Sequence, residues 1–219
     1  LTRLDLGYTE DPLGTTIARC HALRQLSVSA AALGQADWAA LASLPRLADL
    51  TLEGCRLQHI QQSHGSFTCL TYLSLEHTPM AYAITQLPAL RSLELRHSDP
   101  DWAEAPGWHL PPGPWLRNLD SLTIDNSIVS SIEAALRQAT RLTCLELDDC
   151  HWLRFGREEL PLMLALPLLE FYWCSDGQRF REEGVPQCAE TIDVIRELML
   201  VFQARSERDE NVGYCINIG

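Results

Sequence analysis

Apolar residues recur along this chain with the spacing L-x-x-L-x-L-x-x-C. The clearest copy is 142–150, Leu-Thr-Cys-Leu-Glu-Leu-Asp-Asp-Cys, and 47–55 is a second clean copy. The same three apolar positions occur in six further segments: Leu1-Leu4-Leu6, Leu23-Leu26-Val28, Leu70-Leu73-Leu75, Leu90-Leu93-Leu95, Leu119-Leu122-Ile124 and, more loosely, Leu168-Phe171-Trp173. Successive segments start 22, 24, 23, 20, 29, 23 and 26 residues apart, which indicates eight units in one register.

Each unit is predicted to contain one short β-strand. The apolar residues at its fourth and sixth positions point to one side of that strand, and the residues between them point to the other side. One strand with its return segment cannot bury its apolar side alone, whereas stacked units share a continuous hydrophobic interior. A generic Leu-rich α/β domain with coincidental spacing is the alternative, and eight copies in near-constant register count against it.

This spacing resembles that of the leucine-rich repeat superfamily, over about residues 1–176. The resemblance implies an α/β solenoid with a curved parallel β-sheet on its concave side, helices and irregular turns on its convex side, and partner binding on the concave face. Many extracellular and bacterial members have Asn at the ninth position. The small residues found here resemble instead the cysteine-containing repeats of intracellular proteins such as F-box substrate receptors. The ninth positions are Thr9, Ala31, Cys55, Thr78, Ser98, Ser127, Cys150 and Asp176.

The predicted organisation is a solenoid over 1–176 followed by a C-terminal cap over 177–219. Helical spacing of apolar residues predicts helices over 31–44, 130–140 (with Ser130 or Ser131 as N-cap) and 158–166. In the cap, 189–205 has a wide apolar stripe and is predicted to be a helix that docks on the open end of the solenoid. A partner-binding helix is the alternative, and 214–218 is predicted to be a last short strand.

The longest return segment, 99–115, contains five prolines and three tryptophans, Trp102, Trp108 and Trp115. The prolines preclude a regular helix over much of its length. Two interpretations follow. The tryptophans belong to a protruding loop that binds a partner, or they fold back and cover the convex side where the helix is missing.

Composition narrows the choice of partner and compartment. Lys and Arg number 17 against 29 Asp and Glu, a net charge of -12, which argues against nucleic acid and anionic membrane as main partners. The longest apolar run, 160–169, is interrupted by Pro161 and Pro167 and is too short to cross a bilayer. The eight cysteines are not clustered at the chain ends as in the caps of secreted repeat proteins, and Cys55 and Cys150 fall at the repeat turn, so we expect reduced thiols and an intracellular location, in the cytoplasm or nucleus. No C-x-x-C pair is present to suggest a zinc site of that kind.

Solvent-facing positions of the predicted strands are rich in carboxylates. Parallel strands lie about 5 Å apart, which should place Asp125 beside Asp148 and Thr123 beside Glu146. Such a face would attract a Lys/Arg-rich protein, although it could also be acidic simply because the whole chain is. The predicted partner-binding residues of the concave face are Glu53, Tyr72, Glu76, Glu94, Asp125, Glu146, Asp148, Asp149, Glu170 and Tyr172.

Sequence motifs for catalysis and nucleotide binding are lacking, since the chain contains no G-x-x-x-x-G-K-[ST], G-x-S-x-G, G-x-G-x-x-G or H-E-x-x-H. His77 and His97 share a position in adjacent units, which suggests either a metal or pH-sensitive pair or, more simply, two solvated histidines. No cofactor or metal is predicted.

We therefore expect a non-catalytic protein-interaction module. Because the chain begins at the first Leu of a unit, we expect it to be the recognition part of a larger protein, such as an F-box-type substrate receptor. A structural subunit of a large assembly is the alternative. An enzyme that uses the repeat as a targeting arm would need its catalytic domain outside these residues.

Overall fold

A computed structural model gives the fold and describes residues 1–7, 13–57, 67–79, 84–85, 87–98, 108–150, 153, 155–167, 170–175, 188–208 and 212–218. Short strands predominate in the described ranges, and the helices lie in the segments between them. The strands are β1 Arg3–Leu6, β2 Gln25–Ser29, β3 Ala32–Leu33, β4 Asp49–Glu53, β5 Arg56–Leu57, β6 Tyr72–Glu76, β7 Ser92–Arg96, β8 Trp108–His109, β9 Ser121–Asp125, β10 Val129–Ser131, β11 Cys144–Asp148, β12 Glu170–Ser175 and β13 Gly213–Ile218. The helices are α1 Gly14–Ile17, α2 Gln35–Ala42, α3 Glu133–Gln138, α4 Glu159–Ala165 and α5 Cys188–Ser206, with a 3₁₀ helix at Pro114–Asn118.

Nine strands form one parallel sheet in the order β1-β2-β4-β6-β7-β9-β11-β12-β13. The strand of each unit is hydrogen-bonded to the strand of the next unit, so neighbours in sequence are neighbours in space. Parallel strands require long crossovers between them, which the return segments supply. The prediction of an α/β fold with a large parallel sheet is confirmed.

Equivalent apolar residues of successive units pair directly across this sheet. Leu50 is in register with Leu26 on one side and Leu73 on the other. All three are at most 2% exposed, because the sixth-position and fourth-position side chains form continuous rows in the core. The first-position leucines complete this core from the residues before each strand: Leu23, Leu47, Leu70, Leu90, Leu119 and Leu142.

The ninth position satisfies backbone carbonyls that would otherwise be buried without a donor. The Oγ of Ser98 donates a hydrogen bond to the carbonyl of Leu75 in the preceding unit, at 2.8 Å. Thr78, Cys55 and Cys150 make the same bond, to Leu52 (3.1 Å), Val28 (3.4 Å) and Ile124 (3.4 Å) respectively. Thr78 Oγ1 also accepts the N–H of Cys55 at 2.9 Å. Hydrogen bonds from hydroxyls and thiols therefore link each of these units to the preceding one in the interior.

The eighth position adopts a left-handed backbone in six consecutive units. The residues there have φ between 45° and 59°, and they are Ala30, Gly54, His77, His97, Asn126 and Asp149. Gly, Asn, Asp and His are the residue types that tolerate this conformation best, whereas Ala30 does so at a cost. The N–H groups of the first five donate to the seventh-position carbonyl of the next unit, at 2.7–3.0 Å, which extends the strand ladder by one bond.

The return-segment helices are shorter than the sequence predicts. Residues 31–44 contain the short strand β3 and then α2, and residues 130–140 contain the end of β10 and then α3. The backbone N-cap of α3 is Ile132, although Ser131 Oγ accepts the N–H of Glu133 at 3.1 Å. Local strand pairing, β3 with β5 and β10 with β8, takes the residues that helical spacing alone had assigned to helix.

The C-terminal elements close the described end of the sheet. Helix α5 buries Val194, Ile195, Leu198 and Phe202, and Phe202 stacks on Phe171 of β12 with ring centroids 5.5 Å apart. Arg205 donates to the carbonyl of Leu164 at the end of α4, at 3.1 Å. The predicted last strand is present as β13, which pairs with β12 along its whole length. These four apolar side chains of α5 are therefore packed inward, as docking of the helix on the repeat units requires.

Candidate partner-binding face

The third, fifth and seventh positions of the units form the surface of the sheet opposite the core, which we call the polar face. In strand order, its third-position column is Arg3, Gln25, Asp49, Tyr72, Ser92, Ser121, Cys144, Glu170 and Gly213. The fifth-position column is Asp5, Ser27, Thr51, Ser74, Glu94, Thr123, Glu146, Tyr172 and Cys215. The seventh-position column is Ser29, Glu53, Glu76, Arg96, Asp125 and Asp148.

Carboxylates outnumber cations on the polar face. Nine positions are acidic: Asp5, Asp49, Glu53, Glu76, Glu94, Asp125, Glu146, Asp148 and Glu170. Two are arginines, Arg3 and Arg96. A surface with this imbalance has a negative potential, which favours positively charged partners.

Neighbouring strands hold several of these carboxylates in place. Gln25 Nε2 donates to Asp49 Oδ2 at 2.8 Å, and Ser29 Oγ donates to Glu53 Oε2 at 3.1 Å. In the second half of the sheet, Thr123 Oγ1 donates to Glu146 Oε2 at 3.2 Å, as the predicted pairing of these two residues requires. These donors fix the orientation of the carboxylates without cancelling their charge.

The two arginines neutralise part of the face. Arg3 Nε lies 3.3 Å from Asp5 Oδ2, and Arg96 Nε lies 3.7 Å from Glu94 Oε2. Burial and the hydrogen bond and charge of Glu94 raise the pKa of the Tyr72 hydroxyl, while Ser74 and Arg96 oppose this shift. Tyr72 therefore stays protonated as part of a polar cluster at the middle of the sheet.

The predicted pairing of Asp125 with Asp148 is confirmed by the register of β9 and β11. Burial raises the pKa of the Asp125 carboxyl, and the charges of Asp148 and Asp149 raise it further, against the opposing effect of His97 and Arg96. Burial of the carboxyl and its proximity to like charges both disfavour the ionised form, which costs free energy in the absence of a cationic partner.

His77 and His97 stack at the edge of the polar face. Their ring centroids are 4.5 Å apart with an interplanar angle of 18°, because both residues occupy left-handed eighth positions of adjacent units. Both are exposed. Throughout the described ranges, no set of three or more His, Cys, Asp and Glu side chains is arranged to hold a metal ion.

Two shallow cavities open on the polar face. The first has a volume of about 390 Å³ and lies over β1, β2, β4 and β6, and its lining includes Ser27, Thr51 and Tyr72. The second has a volume of about 370 Å³ and lies over β11, β12 and β13. Its polar-face lining is Cys144, Glu146, Glu170, Tyr172, Gly213 and Cys215.

The sequence did not single out Cys144, Gly213 and Cys215 as candidate binding residues. Two of them belong to β13, whose place in the main sheet depends on a pairing with β12 across more than 30 residues of chain. The local signal was the alternation of Tyr214, Ile216 and Ile218, which predicts a strand but not its neighbour.

Nine of the ten acidic and aromatic residues predicted for the concave face lie in the three columns of the polar face. The tenth, Asp149, lies at the adjacent left-handed turn with φ 45°. The protruding-loop interpretation of the tryptophans is wrong for Trp108 and Trp115, which are 3% and 0% exposed. Both belong to the buried core, Trp115 in the 3₁₀ helix that packs against α3 and Trp108 in β8, which pairs with β10. Trp102 lies outside the described residues.

No disulfide joins the six cysteines whose side chains the structure describes. Cys55 and Cys150 are buried at the ninth position, Cys20 and Cys144 are half-buried, and Cys69 and Cys215 are exposed. Burial raises the pKa of the Cys55 and Cys144 thiols. In the same described ranges, every helix is too short or too polar to span a lipid bilayer.

Comparison with known proteins gives no family assignment. Neither a protein-family model nor a curated protein sequence matches the chain.

Proposed function

We propose that this chain is a leucine-rich repeat solenoid that binds a basic segment of a partner protein on its polar face. The excess of carboxylates over arginines on that face carries the proposal. Strands about 4.8 Å apart give a nine-stranded sheet a width of roughly 38 Å, long enough for a segment of about eleven extended residues. A Lys/Arg-rich segment would meet carboxylates on seven of the nine strands, all but β2 and β13.

The rigidity of the scaffold supports this proposal. The acidic side chains sit on paired strands rather than on loops, and donors such as Gln25 and Thr123 already orient their oxygens. A partner would therefore lose little free energy in ordering them. Long-range attraction between a negative face and a basic segment would also speed association at low salt.

We further propose that the chain serves as the recognition part of a larger intracellular protein, similar to an F-box-type substrate receptor. The ninth position supports this version. Cys55, Thr78, Ser98 and Cys150 each bond a carbonyl of the preceding unit, the role that Asn has in many extracellular repeats.

Selection of peptides from a phage-displayed library of random twelve-residue sequences tests the basic-partner proposal. Wild-type chain should enrich peptides that are rich in Lys and Arg. A variant with four polar-face carboxylates reversed should not retain them. It carries Asp125→Lys, Glu146→Lys, Asp148→Lys and Glu170→Lys.

The matched control reverses four exposed carboxylates that lie away from the sheet, Glu158→Lys, Asp193→Lys, Glu197→Lys and Glu207→Lys. It has the same net charge as the polar-face variant and should bind the selected peptides as the wild type does. Selected peptides with no basic enrichment, or equal binding to the polar-face variant, would contradict the proposal.

A further inference from the structure

We propose that the cavity over β11, β12 and β13 takes a single arginine side chain of the basic segment, an inference that rests on the proposed function and makes it specific. The guanidinium would lie between the carboxylates of Glu146 and Glu170, with its flat face and aliphatic stem against the ring of Tyr172. The other carboxylates of the polar face would attract the basic segment electrostatically, and this cavity would select for an arginine at one position of that segment.

The shape of the cavity follows from which strand contributes which side chain. Glu170 and Tyr172 are two residues apart on β12, so their side chains lie on the same side of the strand, and both line the cavity. On β13 the register partners of these two residues are Gly213 and Cys215. Because glycine and cysteine have little or no side-chain volume, they leave space beside Tyr172 for a side chain of the partner. Cys144 on β11 is similarly small and half-buried. The resulting volume of about 370 Å³ exceeds what one arginine side chain needs.

The charges around this cavity are not neutralised from within the described chain. Glu94 and Asp5 have Arg96 and Arg3 as partners, whereas no described arginine lies within salt-bridge distance of Glu146 or Glu170. The neutral donor Thr123 orients Glu146 and leaves its charge unbalanced. The cavity over β1 to β6 differs in this respect, because Arg3 lines it.

Arginine fits the lining better than other cationic groups do. Its guanidinium presents several N–H donors in one plane and stacks on aromatic rings, so one group can satisfy two carboxylates and a tyrosine ring together. Lysine carries one compact charge without a planar face, so it would not stack on the Tyr172 ring as a guanidinium does. The predicted order of affinity is arginine above lysine, with neutral citrulline far below both.

Nuclear magnetic resonance titration with N-acetyl-arginine methylamide tests the proposal directly. Backbone amide shifts should saturate and be confined to residues 144–146, 170–172 and 213–215. N-acetyl-citrulline methylamide, which has nearly the same shape without the charge, should cause no such shifts at equal concentration and ionic strength.

Two variants and one control separate the cavity from general acidity. Glu146→Gln with Glu170→Gln should weaken arginine binding about fivefold to tenfold, and Glu53→Gln with Glu76→Gln, which removes two carboxylates that lie outside the cavity on β4 and β6, should leave it within about twofold. Gly213→Leu should abolish binding with no change in charge, because it fills the floor. A Cβ at 213 would meet Glu170 Cγ at 3.9 Å, an ordinary contact, so the variant should fold, as its spectrum will show.

Shifts spread over the whole polar face and reduced equally by the control pair would overturn the arginine cavity and leave the basic-partner proposal standing. Unchanged arginine binding by folded Gly213→Leu, or saturable binding of citrulline, would also overturn it. Saturable local binding of arginine, together with a peptide library that yields no basic sequences, would contradict the basic-partner proposal instead.

Discussion

Asp125 on β9 and Asp148 on β11 are direct register partners, two like charges on one face of a parallel sheet. Their backbones continue the ladder beyond the strands, since the carbonyl of Asp125 accepts the N–H of His97 at 3.0 Å and that of Asp148 accepts the N–H of Asn126 at 2.9 Å. The ladder holds the two aspartates at a fixed separation that their charges oppose. Repulsion between the two carboxylates lowers the free energy of unfolding. Such a pair is expected on a surface whose negative charge favours binding rather than folding.

The first prediction concerns this pair. Burial and Asp148 raise the folded-state pKa of Asp125 above its ordinary value of about 3.9. At pH values between the ordinary pKa of Asp125 in the unfolded chain and its higher pKa in the folded chain, the folded chain binds more protons than the unfolded chain. The contribution of Asp125 to stability therefore falls as pH rises through that range. We expect Asp125→Asn to raise the free energy of unfolding by about 0.2–1 kcal/mol at pH 7.

Urea denaturation measures this change, and at pH below the ordinary range of Asp the gain should vanish, because Asp125 is then protonated in both states. Exposed Glu197→Gln on α5 is the control and should change stability little at either pH. A loss of stability for Asp125→Asn at pH 7 would show that its carboxylate contributes a favourable interaction.

The second prediction concerns the ninth position. Thr78 is fully buried, and its hydroxyl both donates to Leu52 and accepts from the N–H of Cys55. Thr78→Val keeps the shape and leaves these backbone groups without partners, so it should cost about 1–3 kcal/mol. Thr51→Val on the polar face is the matched control and should cost far less. Equal midpoints for the two variants in urea would refute this role of the hydroxyl.

The third prediction concerns the left-handed turns. Gly54 has φ 59° and open space around its Cα, so Gly54→Ala should destabilise the fold by about 1–2 kcal/mol through backbone strain alone. Ala30 already carries that strain at φ 53°, and Ala30→Gly should therefore stabilise the fold. Ala32→Gly in β3 lacks a positive φ and should be destabilising by roughly 0.5–1 kcal/mol. Thermal unfolding of the three variants shows whether each change raises or lowers the stability of the fold.

The fourth prediction concerns thiol reactivity. Exposed Cys69 and Cys215 should react with iodoacetamide in the folded chain, while buried Cys55 and Cys150 should not. Burial, together with Glu170 and Glu146, raises the pKa of Cys144, so its alkylation should increase only at higher pH than for an ordinary thiol. Glu170→Gln should shift that increase back to lower pH. Peptide mass spectrometry follows each cysteine, and an unshifted Cys144 profile in the variant would argue against the Glu170 interaction.

Much of the sheet could be predicted because its signal is local. The alternation within Leu142–Cys150 and its relatives specifies which side of each strand is apolar, and a repeat of about two dozen residues implies parallel neighbours. The columns that pair Thr123 with Glu146 and Asp125 with Asp148 follow from that register. Some of the left-handed turns also have a local signal, because Gly, Asn and Asp, which occur at positions 54, 126 and 149, favour positive φ.

The return segments and the candidate arginine cavity could not be predicted in this way. Whether Trp115 projects or packs inward depends on the space left beside α3, which its neighbours in sequence do not set. Helical spacing over 130–140 also ignores the pairing of β10 with β8.

The sequence by itself determined the repeat, the apolar and polar sides of its strands and the acidic character of one surface, because these depend on residue types at short, regular spacing. Tertiary structure decided where small side chains lie next to large ones on the polar face. Gly213 and Cys215 lie beside Glu170 and Tyr172 only because β13 pairs with β12. A cavity is a property of side chains brought together from distant segments, so its position emerges only when those segments are packed.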